Sequence, residues 1–378
     1  MKDKLLKYIE TNRDRIIDTF NILHSMPEVG FAEEKTSAYL AKRLEQLGYS
    51  VETGVGGTGV VGIFDTGIPG PWIGLRADMD ALIHEINGEP MVIHSCGHDA
   101  NCTVVISVAE ALVKSNVLNK GHLRIIFQPA EETLKGAKEL LKSGHMNGLD
   151  YLIASHLRPI EELPYGKISP SVRHGASGIM MADITGADAH GGRPHQGINV
   201  IDACCSIVFA VNSIHMNPQI PYSVKATMIK AGGNAFNIIP GKAKMAFDLR
   251  AQTNEVMEQL KEAVAKAIER GAQCCGAEAK CHFLGGVPAA KDSDELIKIA
   301  QDCIKYVLGE DGVADCVVTS GGEDFHEYSY AMKELKTTIL GIGADLVPGL
   351  HKPNMTFNQE ALLHGAKVMA LMVYEIME

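Results

Sequence analysis

Apolar residues recur at helical spacing over residues 2–23 and 33–48, the second stretch with Leu40, Leu44 and Leu47 on one face. Short strand-like runs follow: Gly59-Val60-Val61-Gly62-Ile63-Phe64, Trp72-Ile73-Gly74-Leu75, His122-Leu123-Arg124-Ile125-Ile126-Phe127 and Tyr151-Leu152-Ile153-Ala154. Helical patterns lie between them at 102–114 and 135–143. Strands alternating with helices predict an α/β domain whose mixed, mostly parallel sheet is flanked by helices.

The pattern changes near residue 172. Residues 177–185, 222–229, 242–249 and 280–284 read as strands, and 198–214 and 255–271 as helices. That set predicts a four-stranded sheet with two helices, an α+β domain inserted at 173–287. Residues 1–172 and 288–378 then form the first domain, which resumes with a helix at 293–308, a strand at 337–342 and a last helix at 359–378.

Composition narrows the function class. The net charge of -11 argues against an electrostatic nucleic-acid or anionic-membrane partner. No apolar run approaches a membrane span, and Met1-Lys2-Asp3-Lys4 does not read as a signal peptide. The odd count of nine scattered cysteines reads as reduced thiols, so a cytoplasmic location is expected.

The chemistry centres on Ile93-His94-Ser95-Cys96-Gly97-His98-Asp99. Gly97 lets the backbone turn so that the Cys96 thiol and the His98 imidazole converge, a pairing that suits a borderline divalent cation. After the strand ending at Phe127, Gln128-Pro129-Ala130-Glu131-Glu132 puts two carboxylates where catalytic groups of open α/β sheets gather. One can bind a cation while the other faces a reacting water; the pair also reads as acids favoured at a helix start. The strand at 151–154 delivers Ser155-His156 to the same rim, and His351 follows a strand and the Gly341-Ile342-Gly343 turn. Cys96, His98, Glu132, His156 and His351 are too few for two closed tetrahedral sites, but suit two open sites with a shared ligand and a water.

Seven stretches in this order resemble the M20 metallopeptidase/amidohydrolase family, subfamily D: Arg76-Ala77-Asp78-Met79-Asp80-Ala81-Leu82, Cys96 to Asp99, Gln128 to Glu132, His190 to His195, Asn237-Ile238-Ile239-Pro240, Gly322-Glu323-Asp324-Phe325, and His351 to Glu360. The resemblance implies two divalent ions (Zn, Mn, Co or Ni) on Cys96, His98, Glu132, His156 and His351, with Glu131 as general base. It implies that Asp78 and Asp80 orient ligands, that His190 and Asn237 stabilise the oxyanion, and that His195 belongs to the substrate region. The 173–287 insert resembles a lid and dimerisation domain. Three positions depart from the subfamily pattern: Gly191-Gly192-Arg193, Ile83 and Asn101. Arg193 reads either as a partner for a substrate carboxylate or as a surface charge.

The expected function is binuclear hydrolysis of the amide of a small N-acyl amino acid by attack of a metal-bridging water, in a homodimer or a monomer. A metallo-dipeptidase or carboxypeptidase, a Cys96 thiolate nucleophile, and a non-catalytic relative are the alternatives.

Overall fold

The computed structural model describes residues 1–378. The chain divides into two compact units: Met1–Arg173 with Lys291–Val318 and Asp324–Glu378, and His174–Ala290 with Thr319–Glu323. Thr319–Glu323 therefore belongs with the second unit, whereas the sequence reading assigned all of 288–378 to the first.

The first unit is built on a seven-stranded sheet. Its order is Ser50–Val55, Gly59–Asp65, His122–Gln128, Trp72–Asp78, Tyr151–Pro159, Lys336–Leu346 and Ile168–Ser169. The four strands from His122–Gln128 to Lys336–Leu346 run parallel, and antiparallel strands close both edges. The central strands are buried on both faces. Leu123, Ile125, Phe127, Ile73, Leu75 and Ile153 pack into one layer with the helices His98–Lys114 and Ala361–Met377. Ile126, Leu152, Ala154 and Ile339 face the other, against Ala137, Leu140, Phe325 and Tyr328. The two-residue period of a strand produces this split, and each fully buried Leu or Ile contributes roughly 1.5–3 kcal/mol.

Several elements differ from the sequence reading. The first helical stretch breaks at Asn12 into Lys2–Thr11 and Arg13–His24. The helix expected from 102 begins at His98, with Gly97 as its N-cap at φ 89°. His156 lies inside the strand Tyr151–Pro159 rather than beyond its end, and Gly341-Ile342-Gly343 lies within Lys336–Leu346 rather than in a turn. The strand–helix pattern missed the hairpin Leu82–Ile86/Glu89–Ile93, whose turn residues Asn87 and Gly88 both have positive φ.

The second unit is a four-stranded antiparallel sheet in the order Tyr222–Ala231, Lys242–Ala251, Ala176–Thr185, Glu278–Val287. The helices Val200–Asn212 and Asn254–Gln273 supply Ile207, Val211, Leu260, Val264 and Ile268 to a core shared with Met180, Met245 and Phe247. No helix of the chain is long and apolar enough to cross a membrane.

Candidate metal centre

The strands Trp72–Asp78 and His122–Gln128 run parallel and end in register, Asp78 opposite Gln128. The Met79 N–H then donates to the Gln128 carbonyl at 3.0 Å, so the turns bearing Asp80 and Glu131-Glu132 leave the sheet side by side. Between them stands His98, on the first turn of its helix. Its Nδ1 lies 3.0 Å from the Asp80 carbonyl and 3.2 Å from Asp80 Oδ1. Its buried Nε2 has no hydrogen-bond partner; it faces Asp78 Oδ2 at 3.7 Å and Glu131 Oε2 and Glu132 Oε1 at 3.9 Å each. Nδ1 facing Asp80 leaves Nε2 aimed into the cluster, the orientation that a metal-binding imidazole requires. The same Asp80 carboxylate accepts the Glu132 N–H at 3.0 Å.

Two further ligand candidates come from neighbouring strands and loops. The His156 Nδ1 donates to the Leu157 carbonyl at 2.7 Å, and its Nε2 is 3.6 Å from Cys96 Sγ. His351 comes from a loop; its N–H donates to the Ser95 carbonyl at 2.6 Å, and its φ of 60° is held against the usual preference of a non-glycine residue. Its Nε2 is 3.4 Å from Glu132 Oε1.

Ligand atoms within 4.8 Å of one another form three sets in this unit: Cys96/His98/His156, Cys96/Glu132/His351 and His98/Glu131/Glu132. The structure thus brings together all five expected ligands and Glu131, with Cys96 common to the first two sets. The proposed ligand groups differ in protonation, and a cation that binds His98 or Cys96 must displace a proton there. Burial pushes the His156 imidazole down to about 4, into its neutral, ligating form. Burial works to lower His98 as well, but Asp78 and Cys96 outweigh it and hold that imidazole well above its ordinary value. Burial pushes the Cys96 thiol up, and Glu132 and Glu131 push the same way against the pull of His98. A buried thiol with raised pKa is a poor free nucleophile, whereas a coordinated cation deprotonates a thiol outright. The unpartnered His98 Nε2 and Glu132 Oε1 point the same way: buried polar atoms of this kind call for a ligand.

Asp78 belongs to none of the ligand sets but braces them. Arg76 Nη1 donates to its Oδ2 and Asn101 Nδ2 to its Oδ1, both at 2.7 Å. Asn101, one of the departures, is thereby accounted for. Arg76, almost fully buried, also donates to Gln128 at 2.9 Å and to Asp324 at 3.1 Å. Sequence reading gave Arg76 and Asp324 no role; the only signal was polar residues within matched motifs of an otherwise apolar strand and loop. The Asp324 N–H lies 3.4 Å from Glu131 Oε1.

In the second unit, His190 pairs with Ile238 in a short ladder, and the Gly191 N–H donates to the Asn237 carbonyl at 2.7 Å. His190 and Asn237 are thus neighbours, both exposed, with the exposed Arg193 and His195 following at the Pro194–Gln196 turn.

Residues 74–375 match the model of peptidase family M20/M25/M40. The chain belongs to that family. A hippurate hydrolase of Campylobacter jejuni is 31% identical over 92% of this chain and 93% of its own length. A thermostable carboxypeptidase 1 of Saccharolobus solfataricus is 30% identical over 86% of each. A crystal structure from Bacillus subtilis, described as a dinuclear metal binding peptidase from the M20 family, superposes with a TM-score of 0.82 at 25% identity, covering 97% of this chain and 99% of that one. This M20 chain is accordingly a metal-dependent amidohydrolase, with an α/β fold shared by its family.

Proposed function

We propose that this M20 enzyme hydrolyses the amide bond of N-acyl amino acids, using two divalent cations held by Cys96, His98, Glu132, His156 and His351. The observation that carries the reading is the sharing of Cys96 Sγ by two ligand sets, with Glu131 in a third beside them. When bound, the cations supply positive charge that acidifies water and polarises the amide carbonyl. The sulfur and nitrogen donors favour Zn, Co or Ni, and Mn also fits the carboxylate.

Glu131 is the general base in this reading. One carboxylate oxygen removes a proton from the attacking water as the water oxygen bonds the carbonyl carbon. The same carboxyl then returns the proton to the amide nitrogen as the C–N bond breaks, giving a carboxylic acid and a free amino acid. Asp80 orients His98 and Glu132, and Asp78 steadies the site through Arg76 and Asn101. His190 and Asn237 donate to the oxygen that gains negative charge, while Arg193 and His195 contact the substrate carboxylate. The second unit serves as a lid and as the contact of a homodimer. Nine unpaired cysteines favour a reducing compartment such as the cytoplasm.

Glu131→Gln tests the reading. The variant is expected to keep the wild-type metal content by elemental analysis and to lose about 10²- to 10⁴-fold in kcat on hippurate-type and N-acetyl amino acids; full turnover overturns the role. The near-equal identity to a carboxypeptidase keeps peptide substrates as the second reading. Parallel assays of acyl amino acids and dipeptides separate the two.

A further inference from the structure

The turn that carries Glu131 and Glu132 is held in an unusual shape. It is a short 3₁₀ turn, Glu131–Thr133, flanked by Ala130 at φ 54° and Leu134 at φ 57°. Left-handed backbone at two non-glycine residues is costly and persists only when the surroundings enforce it. Three N–H groups of the turn have identifiable acceptors. Leu134 donates to the Glu131 carbonyl at 2.7 Å, and Glu132 donates to Asp80. Ala130, the residue immediately before the base, donates at 2.8 Å to Oε1 of Glu33.

Glu33 is a fully buried carboxylate just ahead of the helix Glu34–Gln46, and the hydrolytic reading gives it no task. Its other oxygen accepts the hydroxyl of Thr58. The chain segment leading into it braces the same region twice more. Val29 forms a parallel bridge with Ala81, whose N–H donates to the Glu28 carbonyl at 2.8 Å, beside Asp80. Gly30 packs so tightly on the turn that a Cβ there would lie 2.9 Å from Ala130 Cα.

We propose that Glu33 is a positioning residue: by capturing the Ala130 N–H it holds the left-handed entry to the turn and so sets where Glu131 and Glu132 point. Asp80 and Glu33 grip the turn through two N–H groups, one on each side of Glu131. Removing the Glu33 acceptor leaves a buried N–H unsatisfied and frees Ala130 to leave the left-handed region. The proposal rests on the reading of Glu131 as base and Glu132 as ligand.

The test uses the full-length metal-loaded enzyme. Glu33→Ala is expected to lower kcat about 10- to 100-fold, the usual size for partners of ligand-bearing groups, with KM changed far less. The visible spectrum of its Co²⁺-substituted form is expected to shift, because Glu132 moves. Glu33→Gln, whose amide oxygen still accepts from Ala130 while its NH₂ donates to Thr58, is expected to restore most of kcat and the wild-type spectrum. Wild-type kcat and spectrum in Glu33→Ala overturn the proposal, as does a loss explained wholly by the unfolded fraction with an unchanged spectrum. Should Glu33→Ala fail to fold, Gly30→Ala pushes on Ala130 directly; a shifted spectrum with reduced kcat supports the proposal, and wild-type behaviour overturns it. Glu131→Gln is measured alongside: normal turnover there sinks the base assignment, while the Co²⁺ spectrum of Glu33→Ala still judges the positioning of Glu132.

Discussion

Asp80 orients His98: its carbonyl and Oδ1 face Nδ1 at 3.0 and 3.2 Å, which turns Nε2 toward Glu132 and Asp78. Since Asp80 also receives the Glu132 N–H, one carboxylate holds two proposed ligands, one on a helix and one on a turn. Asp80→Ala is expected to weaken metal binding about 10- to 100-fold while leaving the far-ultraviolet circular dichroism unchanged. Competition against a chelator of known affinity measures it; wild-type affinity would show that the ligands orient themselves.

Acid sensitivity has a source away from the ligands. His326 is buried, and burial, aided by the charge of Arg76, pushes its imidazole down to about 3. The folded chain therefore stays neutral there while the unfolded chain takes up a proton near pH 6.5. Stability contributed by this site falls as pH drops from 6.5 toward 3, by roughly 2–3 kcal/mol at pH 4.5. Urea midpoints of metal-stripped protein at pH 7 and 4.5 report it. His326→Gln, which cannot titrate, is expected to lose less stability across that interval than wild type; an equal loss refutes the assignment.

The proposed homodimer has a specific surface to engage. On the helix Val200–Asn212, Ile201 and Phe209 are 44% and 75% exposed, two turns apart on one face, and the helix packs beside the open edge strand Tyr222–Ala231. Exposed apolar side chains next to an unpaired strand edge are a liability that association removes. Sedimentation of the wild type is expected to give twice the chain mass, and Phe209→Glu the monomer mass. A wild-type monomer, or a dimer indifferent to the substitution, excludes this face.

What could be read from the sequence divides along the range of the interactions. Cys96, His98 and Glu132 stood out as candidates because each sits in a short motif beside the end of a strand. Helix and strand periodicity located the main sheet, yet missed the break at Asn12, where the apolar spacing continues although the backbone does not. It also stopped the Tyr151–Pro159 strand at Ala154, because Ser155 and His156 are polar residues that this strand buries. Glu33 was illegible for a different reason. Its partner is a backbone N–H 97 residues away, and no side-chain pattern encodes that meeting. Arg76 and Asp324, 248 residues apart, posed the same difficulty.

The capture of the His351 N–H by the Ser95 carbonyl bears on how the molecule matures. Four of the five proposed ligands are synthesised before residue 160, but His351 follows only after the whole insert. A nascent or truncated chain can offer an ion part of a cage and nothing more. In the proposed reading, loading of the completed cage favours the folded chain by mass action, so ion uptake selects chains whose His351 loop is in place.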